Sequence, residues 1–348
     1  MSSEGMNRRQ FVGTAAMTAA GLIGAAPGSG EAQQKPQAGK PGIKVGLYSI
    51  TFLGVWYHGK ALALEQMIQK AKEYGYDGIE IDGKRPHGNP NDWPTKRCKQ
   101  LRSVADGEGI EIYAVAGNND FSSPICEHRE SQIVYMRELI RMASDFGAPA
   151  VRAFFAWPGV TKHPQIASYT VARDIWNHSH PAANEKDDWD RCRDALVECS
   201  RYAADYGVTL ALQNHAPLVK SYTDVLRMIQ EVNSPRLKAC LDLPLLSDKS
   251  PEGIQAATSE LGPLQALSHF GGEFDRNADG SVGNDKTREP FVDFIRGLRQ
   301  AGYSGYMGYE LCHPLPVVDG QTVGIEFAEK NAQLAAEFIR GVLKAAQS

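Results

Sequence analysis

From Ile43 onward the chain alternates two kinds of segment. A short, nearly continuous apolar run ends in polar residues, and a longer stretch with apolar positions three and four apart follows. The short runs are IKVGLYSITF (from Ile43), GIEIDG (from Gly78), IEIYAVAGN (from Ile110) and AVRAFFAW (from Ala150). The series continues with VTLALQNH (from Val208), LKACLDLPL (from Leu237), LQALSHFGG (from Leu264) and GYMGYELCHP (from Gly305). Such runs predict strands buried on both faces, as in a parallel sheet. Between them, LEQMIQKAKEYG places Met67, Ile68 and Ala71 on one helical face, and FVDFIRGLRQAG does the same with Phe291, Phe294, Ile295 and Leu298. Gly75, Gly109, Gly147, Gly207 and Gly302 stand where a helix hands over to a strand, as C-terminal stop signals do. A last helix is expected from about 325 to 346.

Eight strands alternating with eight helices predict an α/β fold, a single-domain (β/α)8 TIM barrel. The alternative, a doubly wound sheet, usually carries a glycine-rich phosphate loop after its first strand. SITFLGVWYHG is not such a loop, and the barrel region holds no Walker motif and no G-x-S-x-G elbow. HGNPNDWP and WNHSHPAANEKDDW are expected to be loops over the barrel mouth. His87, His163, His178 and His180 fall in such loops and read as surface histidines.

The start of the chain has a different character. NRRQFVGTAAMTAAGLIGAA pairs Arg8 and Arg9, then continues into a weakly apolar run. This resembles a twin-arginine export signal, expected over 1–32, with a linker over 33–42 and the catalytic barrel over 43–348. The apolar run is too short and too rich in Gly and Ala for stable membrane insertion. A periplasmic or exported location follows from that resemblance. The six cysteines form no metal-binding spacing, and Cys240 and Cys312 sit in apolar runs as buried free thiols. A formal net charge of -4 gives no electrostatic reason to expect nucleic acid or anionic membrane as partner. A small molecule is the expected partner, and a homo-oligomer stays open.

A TIM barrel carries its chemistry at the C-terminal ends of the strands. The polar residues there are Glu80, Asp82, Asn118, Asn119, Asp120, Arg152, Trp157, Gln213, His215, Asp242, His269, Glu310 and His313. Gln213, Asp242, His269 and Glu310 stand on four successive strands, each inside or at the end of an apolar run. A charged side chain there needs a partner. Oxygen-rich ligation with one imidazole suits a divalent metal such as Mn²⁺, Mg²⁺ or Co²⁺. The alternative is that Asp242 and Glu310 pair with Arg152 or a lysine and that His269 is a satisfied core histidine. Glu80, Trp157, Arg152, Asn118 and Trp56 are the expected substrate contacts, the tryptophans by stacking on a substrate ring; Phe155 reads as packing.

Several motifs add a resemblance. YGYDGIEIDG at the second strand, LDLPLL at the sixth, LSHFGG at the seventh and AGYSGYMGYELCHP at the eighth are similar to the xylose isomerase-like TIM-barrel family. That family includes sugar phosphate isomerases/epimerases, tagatose/psicose 3-epimerases and endonuclease IV. The resemblance implies that Asp242, His269 and Glu310 are metal ligands and that Glu310 is also a catalytic base. It also exposes departures. Family epimerases place a Glu on the fifth strand, where this chain has Gln213. They often follow the sixth-strand Asp with a His, where this chain has Leu243, Pro244 and Leu245. The Arg that often follows the seventh-strand His has only the more distant Arg276 as counterpart.

An amide at 213 can ligate a hard cation through its carbonyl oxygen but cannot take a proton. Epimerisation next to a carbonyl needs an acid/base group on each face. His215 is therefore expected to act beside Glu310. The expected function is a divalent-metal-dependent sugar isomerase/epimerase-like enzyme that abstracts a proton next to the carbonyl of an unphosphorylated sugar or keto-sugar. A metal-dependent lyase/hydrolase on 3-keto-glycosides and a non-catalytic exported sugar-binding barrel are the alternatives.

Overall fold

The eight apolar runs form eight parallel strands. They are β1 (Lys44–Tyr48), β2 (Gly78–Asp82), β3 (Glu111–Ala116), β4 (Ala150–Ala153), β5 (Thr209–Gln213), β6 (Leu237–Cys240), β7 (Gln265–Gly271) and β8 (Tyr306–Glu310). They close in sequence order, with β1 pairing β2 on one side and β8 on the other. The computed structural model describes residues 42–162, 167–283 and 285–347. The export signal over 1–32, the linker up to residue 41 and His163 lie outside the described residues.

Strand alternation sorts the side chains. Ile79, Ile81, Val151, Leu210, Leu212, Met307 and Tyr309 point outward into the main core against the helices. Tyr113, Ala114, Ala150, Ala211, Cys240, Leu267 and Tyr306 form a smaller cluster in the lumen. Tyr113 and Tyr306 stack there with ring centroids 4.0 Å apart and close the bottom of the barrel. Above this plug the same inward-facing register carries Glu80, Arg152, Gln213, Asp242, His269 and Glu310. Gly308 makes room for this layer, because a Cβ there would lie 2.6 Å from Tyr113 Oη and 2.9 Å from His269 Cδ2.

The outer layer holds α1 (Leu64–Glu73), α2 (Thr95–Glu108), α3 (Cys126–Phe146), α4 (Thr170–Ser179), α5 (Glu185–Asp205), α6 (Tyr222–Val232), α7 (Pro251–Leu261), α8 (Asp285–Gln300) and α9 (Ile325–Ala345). Local chemistry sets several ends. Ser221 and Asp224 make a capping box at the start of α6. Ser250 accepts from Gly253 N–H at the start of α7, with Pro251 in the first turn. Gly109 and Gly147 close α2 and α3 in the left-handed conformation.

α4 departs from the expected one helix per strand. It follows a two-stranded hairpin (Thr161–Lys162 with Ala167–Ser168) in an insertion between β4 and α5. WNHSHPAANEKDDW is accordingly the end of α4, a short 3₁₀ turn over Ala182–Asn184 and the start of α5, rather than a loop. The insertion crosses the barrel mouth. Lys162 Nζ donates to Gly54 O at 2.6 Å, and Tyr169 Oη donates to Cys312 O at 2.6 Å. These bonds tie it to the loops after β1 and β8. Among the described residues no helix is long and apolar enough to cross a membrane.

Candidate active site

Arg152 organises the lumen. Its Nε lies 3.0 Å from Glu80 Oε1, and a terminal nitrogen lies 3.4 Å from Glu310 Oε2. Its guanidinium sits over the Tyr48 ring, 4.3 Å from the centroid. Glu80 Oε2 meets His269 Nε2 at 2.6 Å, and His269 Nδ1 lies 3.2 Å from Asp242 Oδ2. Both ring nitrogens thus face carboxylates, the arrangement of an imidazolium. Burial opposes the charge on His269, but Glu80 and Asp242 act together against it, and the pKa is held well above the ordinary value. Burial likewise opposes ionisation of Asp242; facing His269 and accepting from Gln213 keep it below the usual carboxylate range.

Gln213 donates through Nε2 to Asp242 Oδ2 at 2.5 Å. Its carbonyl oxygen is buried without a hydrogen-bond partner. Asn214 brackets the Asp242 backbone, accepting from its N–H at 2.9 Å and donating to its carbonyl at 3.2 Å. Cys240, Asp242 and His269 each offer a donor atom, all within 4.8 Å of one another.

These residues fit a divalent ion on two counts. An orphaned buried carbonyl beside a carboxylate and an imidazole is a hard-ion donor set. The layer also holds three carboxylates, Glu80 and Glu310 against the Arg152 guanidinium and Asp242 against His269, so a neutral His269 would leave two negative charges uncompensated, the charge a divalent cation supplies. For His269 to ligate, one ring nitrogen must give up its proton. Burial pushes the Cys240 thiol up to about 12, which keeps it neutral and a poor hard-ion ligand. Of the four expected ligands, Gln213, Asp242 and His269 converge, while Glu310 turns to Arg152. Of the alternative foreseen from the sequence, the Glu310–Arg152 pair and a His269 with both nitrogens engaged are present, while Asp242 faces Gln213 and His269 rather than Arg152 or a lysine.

The layer opens into a cavity of about 260 Å³, lined by Arg152, Gln213, His215 and Glu310 among its polar groups and by Tyr48, Trp56, Phe154, Trp157 and Tyr169 among its rings. That is just under the ~300 Å³ lower end of drug-sized pockets, room for one sugar ring. His215 is half-buried against Phe154 and Trp157, with ring centroids 5.3 and 5.0 Å away. Its Nδ1 meets the Ala216 carbonyl, which can only accept, so Nδ1 carries the proton and Nε2 is free to take one. Burial lowers its pKa, a partial rise from that carbonyl notwithstanding, and the ring is neutral near pH 7.

The other expected substrate contacts divide. Trp56, Trp157, Arg152 and Asn118 line the cavity. Glu80 does not; it is fully buried beneath, occupied by Arg152 and His269. Asn119 is structural, bonding the Phe154 backbone through both ends of its amide. Phe155 packs edge-on against Trp189 in the core. His313 lies half-buried, 3.9 Å from Glu273, and Arg276 is paired with Glu337. His87 and His180 are buried rather than on the surface: His87 Nε2 bonds Leu62 O at 2.9 Å, and His180 lies stacked on Trp176. None of the six cysteines is in a disulfide.

Sequence reasoning missed Tyr48, Lys84, Tyr169 and Arg173 in the cavity wall and Cys240 in the ligand cluster. Tyr48 and Cys240 left a signal. Tyr48 lies inside the first apolar run, where it ends β1, and Cys240 stands two residues before Asp242, on the same strand face. Lys84 reaches the cavity while paired with Asp82 at 3.0 Å.

The profile of the xylose isomerase-like TIM barrel family matches residues 68–341. The chain belongs to that family. Within the xylose isomerase-like barrels, fructoselysine 3-epimerase of Shigella flexneri is 26% identical over 261 residues, covering 72% of this chain and 86% of that protein. The structure of D-psicose 3-epimerase from Clostridium cellulolyticum H10 superposes with a TM-score of 0.62 at 20% identity, covering 86% of this chain and 99% of that one. That of 3-keto-D-glucoside 4-epimerase from E. coli gives 0.59 at 16% identity, covering 86% and 99%. These superpositions confirm the shared barrel.

Gln213 is the family member's most informative position to vary. Gln213→Glu places a second carboxylate against Asp242 without the amide's hydrogen bond. The metal-free variant is expected to lose about 1–3 kcal/mol. Added Mn²⁺ should raise its melting temperature by more than it raises the wild type's. Thermal melts with and without Mn²⁺ check both signs; an unchanged response to Mn²⁺ would remove Gln213 from the ligand set.

Proposed function

We propose that this isomerase/epimerase-like enzyme acts on an unphosphorylated sugar or keto-sugar by abstracting a proton from the carbon next to the carbonyl. The observation that carries the reading is that Glu310 and His215 line one ring-sized, aromatic-walled cavity. They reach it from different sides, Glu310 from the end of β8 and His215 from the loop after β5. Glu310, partly exposed and held by Arg152, takes the proton. His215, neutral with Nε2 free, serves the other face. Trp56 and Trp157 offer flat faces to the ring, and Tyr48 fixes the Arg152 plane. Gln213, Asp242 and His269 would hold a divalent ion, Mn²⁺, Mg²⁺ or Co²⁺, and Glu310, which faces Arg152, would complete the set only by turning from it. When bound, the ion supplies Lewis-acid polarisation of the substrate carbonyl.

The inner cations support an unphosphorylated substrate. Lys84 is engaged by Asp82, and Arg152 by Glu80 and Glu310. Arg173 stands exposed at the rim. The paired Arg8 and Arg9 support export by the twin-arginine route and a periplasmic location, where free glycosides are met. The same proton abstraction starts a second reading, loss of a substituent from a 3-keto-glycoside, which an adjoining cavity favours.

The test is solvent exchange. Keto-sugars incubated with the Mn²⁺-loaded protein in D₂O are expected to gain deuterium next to the carbonyl, as read by NMR. A chelator should stop the exchange and Mn²⁺ restore it. Release of an aglycone in the same samples selects the second reading. No exchange and no release across a ketohexose and keto-glycoside panel would defeat both, leaving a sugar-binding barrel.

A further inference from the structure

A second cavity, of about 540 Å³, adjoins the first. The two share Lys84, Asn118, Trp157, Pro158 and Val160, so only these side chains divide them. The insertion after β4 builds the outer wall of both. It supplies Trp157 and Tyr169 to the first cavity, and Ala172, Ile175 and Trp176 to the second. The turn leading into α3 closes the opposite side with Pro124 and Ile125.

This second wall is apolar and open. Ile125 is 61% exposed and Ile175 is 65% exposed, among the most exposed large apolar side chains described. Trp176 is held in place from behind. Its ring stacks on His180 at 4.1 Å with an interplanar angle of 3°, and its Nε1 donates to Ser122 Oγ at 3.3 Å. Ser122 also meets His180 Nε2 at 3.0 Å. The indole is therefore a fixed plane rather than a loose side chain. Asp120 and Gln132 give the cavity a polar edge. A single sugar ring fills the first cavity and leaves this wall in water, and apolar surface gathered beside a polar rim marks a binding site.

We propose that the second cavity is a subsite for a flat, apolar-faced ring carried by the reacting sugar, specifically an aromatic aglycone. The substrate class is then an aryl 3-keto-glycoside, with its keto-sugar under Glu310 and its aglycone between Ile125, Ile175 and Trp176. This rests on the reading of the first cavity as the sugar site. It goes beyond that reading by assigning a ring that the chemistry at Glu310 does not require.

Binding is compared by isothermal titration of the full Mn²⁺-loaded protein with the 3-keto forms of methyl β-D-glucoside, phenyl β-D-glucoside and cellobiose, the ketone standing in the non-reducing ring. Burying one face of a phenyl ring predicts binding of the phenyl glucoside on the order of tenfold tighter than that of the methyl glucoside. Ile175→Asp is expected to erase that preference. Val134→Asp changes a residue that is 61% exposed on α3 and outside both cavities, and it should keep the preference. Equal binding of the two glucosides, or a preference untouched by Ile175→Asp, overturns the subsite alone. Tighter binding of cellobiose than of the phenyl glucoside overturns its aromatic assignment. Failure of every probe to bind overturns the sugar reading of the first cavity, and the subsite with it.

Discussion

Replacing Arg152 with methionine is expected to destabilise the metal-free protein by about 3–5 kcal/mol. Its side chain is 3% exposed and that of its partner Glu80 is 0% exposed. Methionine keeps the length and apolar volume of the arginine stem, so the loss reports charge rather than a cavity. Without the guanidinium, Glu80 keeps only the His269 contact, and Glu310 loses its inner partner. Urea denaturation in the presence of a chelator measures the loss. Adding Glu80→Gln to the same variant should recover more than about 1 kcal/mol, since it removes the carboxylate left uncompensated. A loss under about 1 kcal/mol for Arg152→Met alone would show that something other than this arginine neutralises Glu80.

Glu310→Gln is expected to have the larger catalytic effect. The amide preserves size and can still contact the cavity, but it cannot accept a proton from carbon. The rate of deuterium exchange into a keto-sugar should fall by about 10²–10⁴. Stability should change far less than for Arg152→Met, because Glu310 sits at the cavity edge and Arg152 retains Glu80. The rates are compared at saturating Mn²⁺, because loss of a carboxylate donor also weakens metal binding. Exchange at the wild-type rate with bound Mn²⁺ would take the base role away from Glu310 and leave His215 as the residue to test.

The barrel was legible because each unit repeats the same physical statement. An apolar run such as GIEID buries both faces, an amphipathic helix covers it, and a glycine such as Gly109 or Gly147 ends that helix. The inward set was legible for the same reason, since alternation along Thr209–Gln213 turns Gln213 toward the lumen once Leu210 and Leu212 face the helices. Depth was not legible. Glu80 and Glu310 both end strands, yet Glu80 is sealed under Arg152 and Glu310 faces the cavity. That difference depends on which residue crosses the lumen, and Arg152 does so from a third strand. The insertion was missed because Asn177, His178, His180 and Pro181 break the apolar pattern of α4, and its Val171 and Ile175 point to solvent. His87 was misplaced because HGNPNDWP is locally turn-like and polar. Its burial comes from the distant Leu62 carbonyl and from Trp93, whose indole bonds the His87 carbonyl.

Sequential strand order has a consequence for how the site comes into being. β1 is complete near the start of the described chain but waits for β8 to cover its second edge, and Lys44 N–H bonds Gly305 O only then. Glu310, the residue on which the chemistry turns, arrives on that last strand. A chain interrupted before β8 would hold Gln213, Asp242 and His269 in a curl open along both β1 and β7, with two unsatisfied strand edges ready to pair with a neighbour. Closing the barrel and completing the active site are one event, so intermediates in folding carry the risk of aggregation without any of the activity.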